Sequence, residues 1–150
     1  MWDGGPIPEE LAKFPGYLLA RLGESSRRRF REALEEAGGL HPRLFGVMTM
    51  VAAEPGMTQQ QLHEKTGIDP SSMVAVIDEL EQQRLAERRP HPADRRARTI
   101  YLTKPGLQTL ARVNRIAEGL QRQLFEPLDA QESRTLHALL RKLAGTPERS

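Results

Sequence analysis

Between Met57 and Gln83 the chain packs two helix starts and one helix stop into a short span. Thr58-Gln59-Gln60-Gln61 fits a capping box: the threonine oxygen accepts from the third helical N–H, and the glutamine side chain reaches back. Met57 and Leu62 stand where a hydrophobic staple across that cap belongs. Gly67 closes the short helix. Asp69-Pro70 opens another, with Asp as N-cap and Pro at the first helical position, whose N–H has no intrahelical partner in any case. Met73, Val76, Ile77 and Leu80 then recur at i, i+3, i+4 and i+7, one apolar stripe. Two short helices joined by a glycine-containing turn predict a helix-turn-helix.

The flanks complete a pattern. Residues 86–91 and 98–102 pair as two short strands around a Pro- and Arg-rich tip, and Thr99-Ile100-Tyr101-Leu102 alternates as a half-buried strand does. Thr103 caps a long helix, with Pro105 tolerated in its first turn and Leu107, Leu110, Ala117, Leu120 and Leu124 along it. A last helix follows Asp129 and carries Leu136, Leu139, Leu140 and Leu143. Upstream, residues 1–12 hold Pro6 and Pro8 without periodicity and read as a flexible arm. From about residue 13, Phe14, Leu18, Leu22, Phe30 and Leu34 mark a helix that stops at Gly38-Gly39. Another follows Pro42, with Leu44, Val47, Met48 and Val51 on one stripe, and ends before Pro55-Gly56.

The fold class expected is mainly α with a small β-hairpin wing. A length of 150 residues suits one domain, here 13–150 after the arm. No cysteine means no disulfide, thiolate metal site or thiol switch. No apolar run is long enough for a membrane span. The opening MWDGGPIPEE lacks the basic-then-apolar order of a signal peptide, so the expected location is the cytoplasm. The four histidines are isolated, with His63 and Glu64 reading as solvated, and no phosphate loop, nucleophile elbow or paired-carboxylate motif occurs. Neither an enzyme nor a cofactor is expected.

The net charge of +2 conceals a division. Of 22 basic residues 18 are Arg, the side chain that forks onto phosphates. Residues 84–104 hold seven cations against Glu87 and Asp94, a balance of +5. A hairpin of that charge directly after a helix-turn-helix suits a wing that tracks phosphates or enters a minor groove. Its contact candidates are Arg88, Arg89, Arg95, Arg96 and Arg98. The second helix of the pair differs. Off its apolar stripe stand Ser71, Ser72, Val74, Ala75, Asp78 and Glu79, with no basic residue between Pro70 and Gln83. The serines can bond phosphate or base, and Val74 and Ala75 can lie on thymine methyls. Asp78 and Glu79 oppose DNA unless they turn toward the protein or the wing. Affinity should therefore lean on the wing. The competing reading is a winged-helix module that binds protein partners and has little DNA affinity.

The run Asp94-Arg95-Arg96-Ala97-Arg98-Thr99-Ile100-Tyr101-Leu102-Thr103 resembles the wing signature of MarR-type regulators, Asp-x-Arg followed by a strand ending Leu-Thr. Thr58 through Leu62, Gly67-Ile68-Asp69-Pro70-Ser71-Ser72 and Leu80-Glu81 resemble that family's helix-turn-helix. Matching motifs cover about 58–103, and the helix order extends the resemblance to roughly 13–144. The resemblance implies a winged helix-turn-helix homodimer, with helices in 13–40 and 104–145 interlocking the two copies and 42–103 forming the DNA lobe. It makes Arg96 the wing arginine, braced by an ion pair from Asp94. It places Ser71 and Ser72 at the DNA. Ala75 stands where many members carry a basic residue.

The residues support a dimer on their own account, because Leu-rich stripes at both ends exceed what a domain this small can bury internally. Members of such a family often take small effectors. Here a small aromatic or anionic effector could be lined by Phe14, Tyr17, Arg21, His41, Phe45 and Met48, with Tyr17 and Arg21 one turn apart. The competing reading is that Phe14, Phe45 and Met48 are ordinary core, and that Arg21 pairs with a nearby acid. The protein is thus expected to be a dimeric regulator, a repressor of a pseudo-palindromic operator, whose partner is double-stranded DNA and not a membrane.

Overall fold

A computed structural model describes residues 5–146. In chain order its elements are α1 (Glu9–Ala12), α2 (Pro15–Glu36), α3 (Pro42–Ala53), β1 (Met57–Thr58), α4 (Gln59–Thr66), α5 (Pro70–Gln82), β2 (Ala86–Pro90), β3 (Arg98–Leu102), α6 (Lys104–Phe125) and α7 (Ala130–Leu143). The strands form one antiparallel sheet in the order β1-β3-β2, with Ile100 of β3 between Met57 and Arg88. The architecture is the mainly helical winged fold that the sequence predicts. No helix among the described residues is long and apolar enough to cross a membrane.

The local signals act as their chemistry requires. Thr58 Oγ1 accepts the Gln61 N–H at 3.2 Å, and Gln61 Oε1 accepts the Thr58 N–H at 2.8 Å. Gly67 ends α4 in the left-handed region at φ 70°, open to glycine without steric cost. Asp69 accepts the Ser72 N–H at 3.0 Å and starts α5. His63 is not merely solvated: its Nδ1 lies 2.6 Å from the Ile68 carbonyl, across the turn between the two helices.

Three features add to the sequence reading. Within the proposed arm, Glu9–Ala12 forms one helical turn, too short to register as periodicity, with acids at its N-terminus where the helix dipole favours them. Met57–Thr58 pairs with β3, adding a third strand that two residues cannot announce. The chain also forms two compact units. One compact unit is Arg28–Ala117, and the other takes the chain up to Arg27 together with the chain from Glu118 onward. The dividing points fall inside α2 and α6, because the lobe draws Leu34, Leu110 and Val113 into its own core.

That core holds every buried apolar side chain among the described residues. Leu44, Val47 and Met48 of α3, Leu62 of α4, Met73, Ile77 and Leu80 of α5, and Ile100 of β3 have no accessible surface. The other unit leaves Leu11, Phe14, Leu19, Leu22, Leu139 and Leu143 exposed, Leu143 by 75%.

Inside the lobe the end of α5 is tied to the start of α6. Arg84 takes φ 57°, rare for a residue with a Cβ, and turns the chain into β2. Its carbonyl accepts the Thr103 hydroxyl at 2.7 Å, and the Leu85 carbonyl accepts the Thr103 N–H at 3.0 Å. Gly106 lies so close that a Cβ there would fall 1.9 Å from the Leu85 oxygen.

Candidate nucleic-acid interface

The first two turns of α5 present Ser71, Ser72, Val74 and Ala75, all exposed. Ser71 already has a partner: its hydroxyl donates to Asp69 Oδ1 at 2.6 Å. In that rotamer its oxygen is left to accept rather than donate. The hydroxyl of Ser71 first, and Ser72 next, hold the Asp69 carboxyl well below the usual carboxylate range. The cap therefore stays anionic under all ordinary conditions.

The acids of α5 are answered from outside the helix. Arg43 of α3 pairs with Glu79. Arg88 of β2 reaches Asp78 through Nη2 at 2.7 Å and Glu81 through Nη1, and its N–H donates to Glu81 at 2.9 Å. Two guanidinium groups thus face three carboxylates. Sequence reasoning left open whether Asp78 and Glu79 turn toward the wing, and it missed Arg43 entirely. Nothing local could reveal that pair, since its members lie 36 positions apart.

Arg88 and Arg89 point to opposite faces of β2. Arg89 sits with its guanidinium carbon 4.3 Å from the Tyr101 ring centroid and donates through Nε to Glu87 at 2.7 Å. Tyr101 in turn lies over Gly56, where φ is 87° and a Cβ would meet its hydroxyl at 2.6 Å. At the wing tip Arg95, Arg96 and Arg98 are exposed, and no ion pair among the described residues engages them. The expected ion pair from Asp94 to Arg96 is not formed. Asp94 Oδ1 instead accepts the backbone N–H of Arg96 at 2.9 Å, since a carboxylate reaches a backbone donor two residues on more readily than a long exposed side chain. The tip is also bound from the other side: His91 Nδ1 accepts from the N–H groups of Ala93 and Asp94, each at 3.1 Å.

The sequence model of the MarR family matches residues 38–97, the span that holds α3, the helix-turn-helix and most of the wing. A Thauera aromatica protein assigned as transcriptional regulator for the hcr operon is 32% identical over 128 residues, covering 85% of this chain and 77% of that protein. The chain belongs to the MarR family. Among MarR-type structures, the transcriptional repressor CouR bound to a 23-mer DNA duplex is 30% identical with a TM-score of 0.81, covering 93% of this chain and 99% of that one. PcaV from Streptomyces coelicolor, solved with its natural ligand, is 25% identical with a TM-score of 0.73, covering 95% and 100%.

For a MarR-type effector the six lining candidates are divided. Phe14, Tyr17 and Arg21 belong to the unit of the chain ends, and His41, Phe45 and Met48 to the lobe. Met48 is corrected: with no accessible surface it is core, as its place on the stripe with Leu44, Val47 and Val51 dictates. Phe45 packs edge-on against Phe30 with centroids 5.4 Å apart. His41 caps α3, its Nδ1 accepting the Arg43 N–H at 3.2 Å. Phe14 is 53% exposed beside the Lys13 ammonium, and Arg21 lies 3.9 Å from Glu24.

Proposed function

We propose that two copies of this chain bind a pseudo-palindromic operator and repress transcription by occlusion, with the wing carrying most of the affinity. One observation supports this best. Arg43 and Arg88 neutralise the acids of α5, so the helix offers a small, nearly uncharged face beside the unpaired Arg95, Arg96 and Arg98. Charge on the recognition helix was the argument for a module that only binds proteins, and those pairs remove most of it. The small residues Ser71, Val74 and Ala75 suit close approach to a groove floor, and the wing arginines suit phosphates or a minor groove.

A second copy is supported by the apolar side chains left uncovered outside the lobe. Leu139 and Leu143 expose 53% and 75% of their surface, and an isologous dimer is the common way to cover such a face. Half-sites should then lie about one helical turn apart, ~10 bp centre to centre. The structure of PcaV with its ligand supports an effector for this chain too. Phe14, just before α2, and Tyr17 and Arg21 on it are its lining residues in this reading, suited to an aromatic anion. Such a ligand releases DNA only as far as it prefers the dimer whose lobes miss successive grooves. The protein works in the cytoplasm, as a regulator rather than an enzyme.

The test is a gel shift of the purified protein against the DNA flanking its own gene, at physiological salt with competitor. A sequence-selective shift by a species of dimer mass is expected. Equal retention of competitor and flanking duplex, or none of either, overturns the reading.

A further inference from the structure

The wing tip presents an arrangement that its charge does not explain. Pro90 and Pro92 flank His91 and have no N–H to give. Four other N–H groups of the tip are collected there: Ala93 and Asp94 donate to His91 Nδ1, Arg96 to Asp94 Oδ1 at 2.9 Å, and Ala97 to the Asp94 carbonyl at 3.1 Å. The His91 N–H closes the loop onto the Ala97 carbonyl at 3.3 Å. Both partners of Nδ1 are backbone N–H groups, which can only donate. The ring nitrogen must therefore be the acceptor, and the neutral imidazole carries its proton on Nε2.

Resting on the DNA-binding reading, we propose that His91 is the positioning residue of the wing. Its Nδ1 folds the tip so that Arg95 and Arg96 are held outward, and its Nε2–H serves as a donor to a phosphate oxygen. His91 borders a groove of about 500 Å³ between the wing and the start of α4, where Thr58, Gln59 and Gln60 face Arg88, Arg96 and Arg98, with Asp94 and Ala97 completing the lining. Three neighbours are cationic, of which Arg88 is held by Asp78 and Glu81, and the one carboxylate, Asp94, has its Oδ1 engaged by the Arg96 N–H. A backbone phosphate is the nucleic-acid group that meets such a set. His91 thus joins the fold of the tip to its contact.

Substitution can separate the two nitrogens. Asparagine places its Oδ1 where histidine has Nδ1, whereas glutamine reaches only the Nε2 position. With the duplex flanking the protein's own gene, His91→Asn should restore the tip, lose only the Nε2–H contact and bind about threefold more weakly than the wild type. His91→Gln and His91→Ala should bind about tenfold more weakly, with a shallower salt dependence, and keep the thermal midpoint of the lobe. Equal affinity for all three variants overturns the proposal, as does an Asn variant no better than Ala. A second measurement stands apart from DNA. Long-range 1H–15N correlation of the free protein should show Nδ1 unprotonated and Nε2 protonated, and a ring protonated at Nδ1 overturns the proposal. If the wild type binds no duplex while this tautomer is found, it is the DNA reading that fails.

Discussion

Arg88 Nη2 stands 2.7 Å from Asp78 Oδ1, so a strand of the wing neutralises the outward face of the recognition helix. The same guanidinium meets Glu81, and its own side chain is only 23% exposed. A cation that looked like a phosphate contact in the sequence is thus occupied by the protein's own acids. Replacing it should unmask those acids. Arg88→Met is expected to weaken DNA binding about tenfold, and Asp78→Asn added to it should recover part of the loss. In a double-mutant cycle on stability the pair should couple by about 0.5–1 kcal/mol, modest because Asp78 is half exposed. If Asp78→Asn leaves the DNA deficit of Arg88→Met untouched, Arg88 acts on phosphate directly.

Arg96 should behave as a plain phosphate contact, since no ion pair among the described residues competes for it. Arg96→Ala is expected to weaken binding to every duplex by about 1 kcal/mol and to reduce the salt slope by about one unit per half-site. Titration at several salt concentrations checks both quantities. An unchanged slope takes Arg96 out of the interface.

Gly106 is a packing requirement rather than a hinge. A methyl group there would fall 1.9 Å from the Leu85 carbonyl oxygen, and backbone can yield only by moving β2 or α6. Gly106→Ala should cost about 2–4 kcal/mol in urea unfolding. Arg84→Gly, by contrast, removes a strained Cβ at φ 57° and should leave stability equal or slightly higher. A silent Gly106→Ala would mean that the joint between α5 and α6 is looser than this contact implies.

Asp69 supplies a pH prediction. Its folded-state carboxyl lies below the ordinary 3.8, through the Ser71 hydroxyl first and Ser72 next. A lowered value means that the cap's contribution is fully present above 3.8 and fades only as the pH falls through the folded value. Hydrogen exchange at the Ser72 amide, corrected for its intrinsic rate, should show constant protection from neutral pH down to about 5. Asp69→Asn should abolish the further loss in stronger acid. Protection that fails between about pH 6 and 5 points to another titrating group.

Local signals made the helices of the lobe legible. Thr58, Gln61, Gly67, Asp69 and Pro70 act on donors and acceptors within a few residues of themselves, so their meaning survives without tertiary context. The wing was legible for the same reason, from alternation and a tip rich in Pro and Arg. What could not be read were relations between charges and backbone brought together by folding. Arg43 reaches Glu79 across 36 positions, and Arg88 chooses Asp78 and Glu81 over a solvent-facing pose. His91 gathers the tip, while Asp94 holds a backbone N–H in place of a side chain. Met48 stands on the apolar stripe of α3 and is sealed, whereas Phe45 stands off it, and only the fold shows that its ring packs against Phe30. A sequence names the groups that can pair and the faces that must be buried. Which partner each ionic group takes depends on distances that exist only after the core has closed, because Coulomb attraction and desolvation both turn on a few ångströms.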